Sequence, residues 1–266
     1  MTQASLIFVA LAAIALALFV WRARPDSTIH RWFAAFSLSG AGWVLGVAGL
    51  HGGGHLEAWS RLAFASASLI PATFLSFAYA YPTVSRWPSA KWVRATLFVG
   101  GAFTLLSLTT SLIVHSPAMT EAGLTRKSGP LLPVFAVYFI AAWSTALGIC
   151  VSKWRQAKGQ ERARLQHLGA AMLLSGSGPI IVNLLSPIIT GRSAHAWIGP
   201  YFGLSFIALV AHAIIRHRLM DLRLVIHRGL TFAVAMLVSL VPVAALILFA
   251  WPRLSLHLET HELVFL

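Results

Sequence analysis

The sequence predicts an all-α fold: a polytopic transmembrane helix bundle of seven core spans plus an eighth, with the N-terminus outside. Three observations carry the prediction. Hydrophobic residues make up 58% of the chain and charged residues only 10%, against roughly 25% charged in a soluble domain that must cover its surface. The mean hydropathy is +0.78. The apolar residues are gathered into runs of about 20, the length that crosses a hydrocarbon core of about 30 Å at about 1.5 Å per helical residue. Helices are the economical solution there, because no water inside a bilayer satisfies open backbone groups. The ten-residue alternating patterns of barrel strands do not occur.

The first span, Ser5–Trp21, has no basic residue before it. Arg22 and Arg24 follow it, which reads as a retained span rather than a signal peptide. The second, Trp32–Leu50, contains the small-residue run SLSGAG at Ser37–Gly42, and the third is Leu62–Tyr81. The fourth, Ala95–Val114, contains FVGGAF at Phe98–Phe103. His115–Pro130 holds Pro, Gly and one acid and reads as an external loop. The fifth span is Leu131–Val151, and the polar stretch Lys153–His167 reads as a cytoplasmic helical extension feeding the sixth. That sixth span, Leu168–Ile189, carries LLSGSG at Leu173–Gly178. Small residues of this kind let helices approach closely. Trp197–Ile215 and Leu230–Trp251 complete the set. Residues 1–229 therefore form a seven-span membrane domain, 230–251 an additional transmembrane helix and 252–266 a terminal segment. Its apolar LVFL ending reads as the opening of a ninth span in a longer chain.

Charge fixes the expected orientation. The junctions after the odd-numbered spans hold Arg22, Arg24, Arg31, Arg86, Lys91, Arg94, Lys153, Arg155, Lys158, Arg162, Arg164, Arg216, Arg218, Arg223 and Arg228. The other side holds only Arg61, Arg126, Lys127, Arg192 and Arg253. Basic loops stay in the cytoplasm, so the N-terminus is expected on the non-cytoplasmic side of the membrane. Trp21, Trp32, Trp59, Trp92, Trp154, Trp197 and Trp251 fall near span ends, where indole prefers to sit. A net charge of +13 suggests nucleic acid as partner, but basic clusters between apolar runs are explained by topology and anionic headgroups. The lipid bilayer is the expected partner, and nucleic acid is not.

The chemistry available inside the spans is sparse. All seven acidic residues fall in loops or terminal segments. Ion-coupled transport and retinal Schiff-base chemistry, which need an ionisable group within the membrane, are disfavoured. The single Cys150 excludes disulfides and cysteine zinc sites. His51 and His55 in HGGGH have metal-like spacing, but three intervening glycines favour a flexible external loop. His212 has no partner histidine at its depth. No catalytic residue, cofactor or metal site is expected. In the sixth span Pro179 and Pro187 free backbone carbonyls, and Asn183 needs a hydrogen-bond partner across helices or a cavity to line. Helix-packing glue is the plainer reading of Asn183. If a ligand cavity exists, Asn183 and the mid-span indoles Trp43 and Trp143 are its candidate walls.

The segment after span seven, AIIRHRLMDLRLVIHRGLTF (Ala213–Phe232), is a basic anchoring turn by its chemistry. The order of its residues resembles the end of the N-terminal seven-span region of bacterial sensor histidine kinases. Ala213, Ile214, Arg216, Arg218, Leu219, Asp221 and Leu222 match that pattern, with His217 where the family is often aromatic. LIPATFLSFAYAYP (Leu69–Pro82) and RARLQHLGAAMLL (Arg162–Leu174) are similar to the family's third span and to its approach to the sixth. The resemblance covers roughly residues 1–230. It implies a sensor module of a two-component system, with a cytoplasmic kinase domain in the same full-length chain and a second copy as candidate partner. It also makes Arg216, Arg218, Asp221, Arg223 and Arg228 the candidate signal-transmitting junction. The chain carries no phosphoacceptor histidine box and no ATP-binding box, so it is not expected to be an enzyme by itself. A permease for neutral solutes, an integral membrane enzyme acting on lipid at His51, His55 and Glu57, and a structural subunit are the rival classes.

Overall fold

A computed structural model of the chain describes residues 2–120, 123–186, 188 and 197–217. Seven helices run up and down through the described residues. They are α1 (Thr2–Ala23), α2 (Thr28–Leu50), α3 (Leu56–Ala80), α4 (Ala90–Thr109), α5 (Leu132–Gln156), α6 (Gly159–Pro179) and α7 (Phe202–His217). A π-helical segment, Ile180–Leu185, continues α6, and a 3₁₀ turn, Gly199–Tyr201, leads into α7. The first six are long and apolar enough to cross a bilayer, and α7 is described over 16 residues. The outward surface is apolar: Phe98 is 80% exposed and Val137 69%. Faces of that kind suit lipid, not water. The chain is a multi-pass membrane protein.

α3 is the central helix and packs against α2, α4 and α5. Pro71 sits inside it, so the Ala67 carbonyl loses its helical donor. Nearby carbonyls are engaged by hydroxyls: Tyr138 Oη donates to Ser68 O at 2.9 Å from α5, and Thr104 Oγ1 to Ala65 O at 3.0 Å from α4. Within α3, Thr73 Oγ1 donates to Leu69 O at 2.7 Å. The Tyr138 and Thr104 bonds fix helix against helix where apolar side chains have no preference between neighbour and lipid. Small residues set the closest approaches. A Cβ on Gly46 would lie 2.6 Å from the Ala63 backbone nitrogen, one on Gly42 about as near the Ser66 hydroxyl, and one on Gly100 2.6 Å from Tyr138 Oη.

Several boundaries differ from the sequence reading. α4 starts at Ala90, where Ser89 Oγ caps the Trp92 amide, and ends at Thr109. Thr109 and Thr110 turn their hydroxyls back onto the Leu105 and Leu106 carbonyls, and Thr110 takes an extended backbone. Val114, expected at the end of the fourth span, instead opens a strand. The expected loop is an antiparallel hairpin, β1 (Val114–Thr120) with β2 (Gly123–Ser128), irregular between His115 and Ala118. Lys153–His167 is not one extension of the sixth span. It is split at Ala157–Lys158, so that Lys153–Gln156 ends α5 and Gly159–His167 begins α6. Gly159 makes the reversal possible, with φ +55°. The Arg162 guanidinium closes the turn, lying 4.9 Å over the Trp154 ring.

The predicted helix at 230–251 and the segment 252–266 lie outside the described residues, as do Arg218, Asp221, Arg223 and Arg228. Arg216 belongs to the last turns of α7.

Candidate intramembrane cavity

The helices do not close completely along the bundle axis. They leave a cavity of about 140 Å³ in the half nearest the α2–α3 turn. Every helix except α4 contributes to its wall, and α2 contributes most. Phe36, Gly40, Trp43, Val44, Val47 and Leu50 fall on one face because they recur every three to four residues. Val9 and Ala13 come from α1, Ala63, Phe64, Ala67 and Ile70 from α3, and Gly203, Phe206 and Ile207 from α7.

The three residues singled out in the sequence, Trp43, Trp143 and Asn183, all line this cavity. Each is held by a glycine on a facing segment. The Trp143 indole lies directly over Gly176 of α6, in the place a Cβ would take. The Asn183 amide does the same over Gly199, with Trp43 beside it. Asn183 lies in the π-helical segment that follows Pro179. The proline that opens α6 is therefore adjacent to the polar group on the wall. π segments are rare and often occur at functional sites.

Aromatic rings form much of the remaining wall. Phe139 stacks on Trp143 at 6.1 Å and Phe36 meets Phe206 edge-on at 5.3 Å, while Phe74, not itself on the wall, packs on Trp143 with centroids 4.6 Å apart. Among the described residues no acidic or basic side chain lines the cavity. Its polar groups are few: the Asn183 amide, the indole nitrogens, Ser175 and Ser37. The Ser175 hydroxyl donates to Met172 O at 3.3 Å. Ser37 differs. It is only 3% exposed, and its hydroxyl has no hydrogen-bond partner among the described residues. Most helical Ser and Thr residues of this bundle turn back onto a carbonyl one turn earlier, as Ser39, Ser68 and Ser76 do.

Ser37 was missed in the sequence because SLSGAG reads only as a small-residue packing run. The signal that finds it is position: it stands three residues before Gly40 and six before Trp43, on the same side of α2.

A second arrangement sits at the opposite end of the bundle. The Lys153 ammonium, at the end of α5, reaches the C-terminal end of α3. It lies 2.8 Å from Ala78 O, 3.1 Å from Tyr79 O, 2.6 Å from Tyr81 O and 2.7 Å from Thr83 O. Three N–H donors are thus shared among four carbonyls. The Ala78 and Tyr79 carbonyls have no partner further along α3, and a cation at a helix C-terminus also meets the favourable end of its dipole. At the end bearing the hairpin, Arg61 pairs with Glu57 at 2.6 Å and donates to Leu108 O at 3.0 Å, joining α3 to the end of α4. His51 caps α2 and His55 stands before α3 in a left-handed conformation. Among the described residues, no group of three His, Cys, Asp or Glu is placed to hold a metal.

A search of curated proteins returned no match. The family model of the N-terminal 7TM region of histidine kinase matches residues 5–223, a stretch that contains all seven helices except the first three residues of α1. This chain belongs to the family of N-terminal seven-transmembrane regions of histidine kinases.

Proposed function

We propose that the chain is the membrane-embedded input module of a bacterial two-component protein, passing a stimulus to a cytoplasmic output domain. Membership of the histidine-kinase 7TM family is the observation that carries this reading. The cavity supports it as a place where a stimulus could act. A ligand or force there changes output only if it favours one of two helix arrangements over the other. The junction Arg216, Arg218, Asp221, Arg223 and Arg228 is the proposed exit of the signal.

The test is a fusion of residues 1–228 to the phosphoacceptor and ATP-binding region of a histidine kinase, assayed in membrane vesicles. Gly176→Leu forces Trp143 from its position, and is expected to change autophosphorylation by about fivefold or more. That is the effect of a coupling free energy of about 1 kcal/mol. A fusion whose rate equals that of the isolated kinase region, with or without Gly176→Leu, would remove the reading. The break in α6 favours a neutral-solute permease as the second reading, and uptake by proteoliposomes would put it first.

The proposed orientation has its own measurement. In a Cys150→Ala background, Gly53→Cys is expected to react with an impermeant maleimide on intact cells, and Lys158→Cys only after permeabilisation. The reverse pattern overturns an outside N-terminus.

A further inference from the structure

We propose that the cavity is a binding site for a small, neutral amphiphile of about the size of a phenol, carrying one hydroxyl or carbonyl. The proposal rests on the sensor reading for its biological role, but not for its chemistry. Size comes first. At about 140 Å³ the cavity compares with cavities of about 150 Å³ that accept a benzene ring. Charge comes second. Among the described residues no ionisable side chain lines the wall, and an unpaired charge placed there would lack a counter-ion from them. The polar group comes third. The Ser37 hydroxyl is buried on the wall with no partner among the described residues, and a buried hydroxyl left unsatisfied is costly. It donates or accepts equally well, so a hydroxyl or carbonyl of the ligand satisfies it. The Trp43 and Trp143 indoles on the wall suit a flat apolar body. A phospholipid acyl chain fits the apolar wall but leaves Ser37 unsatisfied.

Fluorine NMR of the purified chain in lipid nanodiscs tests this, with empty nanodiscs giving the partitioning background. 4-Fluorophenol is expected to give a saturable bound signal at one site per chain. Fluorobenzene should bind about three- to tenfold more weakly, the usual worth of one hydrogen bond, and 4-fluorobenzoate not at all. A Cβ on Gly40 meets open space, so Gly40→Leu fills the cavity without striking the backbone and should abolish the signal. Ser37→Ala should leave binding but equalise 4-fluorophenol and fluorobenzene. Signals no greater than in empty nanodiscs overturn the proposal. So does binding that survives Gly40→Leu with helix content retained, a phenol preference that survives Ser37→Ala, or a tightly held phospholipid that 4-fluorophenol does not displace. A kinase fusion that responds to Gly176→Leu while no probe binds sinks this assignment alone and leaves the sensor reading standing.

Discussion

Replacing Gly46 with leucine is expected to separate α2 from α3 and to leave a bundle that no longer holds its native packing. The position faces backbone, which cannot swing aside as a flexible side chain does. A Cβ there would lie 2.6 Å from Ala63 N and 2.7 Å from its Cα. Real Cβ atoms do not approach so closely, so the helices must move apart. Overpacking by even a few atoms costs about 1–3 kcal/mol in a well-packed interior, and more where nothing yields. Because α2 supplies the largest share of the cavity wall, the loss reaches the site as well as the fold. Gly148→Ala on α5 is the matched control, since a Cβ there meets nothing within 4 Å. It is expected to be neutral or to gain up to about 1 kcal/mol through better helix propensity. Thermal unfolding in nanodiscs should place Gly46→Leu far below wild type and Gly148→Ala at or above it. Equal unfolding temperatures for the two would show that α2 and α3 do not cross where the structure puts them.

Removing the Lys153 ammonium is the second large effect. Lys153→Met keeps most of the side-chain length and loses every donor, leaving the carbonyls of Ala78, Tyr79, Tyr81 and Thr83 without it. Hydrogen bonds from a charged group are worth about 1.5–3 kcal/mol each, and the bonds here share donors. A total loss of about 2–4 kcal/mol is therefore expected. Lys153→Arg should recover less than half of it, because a planar fork cannot converge on four oxygens as a compact ammonium does. Amide exchange localises the effect: the Ser85 amide, bonded to Tyr79 O at 2.8 Å, should lose protection first. A methionine variant within about 0.5 kcal/mol of wild type, the range of an ordinary surface substitution, would show that α3 ends as firmly without the lysine.

The residues that the sequence made legible are those whose chemistry is one-dimensional. The helices from α1 to α7 follow from apolar runs long enough for a bilayer, and their ends follow from tryptophans and basic turns. Where hydrophobicity was the only guide, boundaries shifted. Val114 is apolar enough to extend a span, yet the helix ends at Thr109, where Thr110 takes an extended backbone. The hairpin was hidden for a related reason: VHSPAMT is short, holds a proline and lacks alternation, and its strand is anchored by Ile113 packing against Leu132 and Phe135. Trp43, Trp143 and Asn183 stood out because a large indole or an amide is unusual at mid-span. Ser37 did not, because a serine among glycines and alanines looks the same in sequence whether it bonds its own helix or faces an empty space.

Sequence alone determined that a bilayer is this polypeptide's solvent, since backbone hydrogen bonding in hydrocarbon leaves little besides helices of that length and composition. It also determined the family, through the order of residues in short segments near the helix ends. Tertiary structure decided the rest. Whether Gly40 opens space while Gly46 and Gly176 close it depends on what the neighbouring helix brings to the same depth. Lys153 reads as one more basic anchor until α3 and α5 are placed side by side, because its four acceptors lie about 70 residues earlier in the chain. Position along a helix is written in the order of residues; the partner across the interface is set only when the bundle packs.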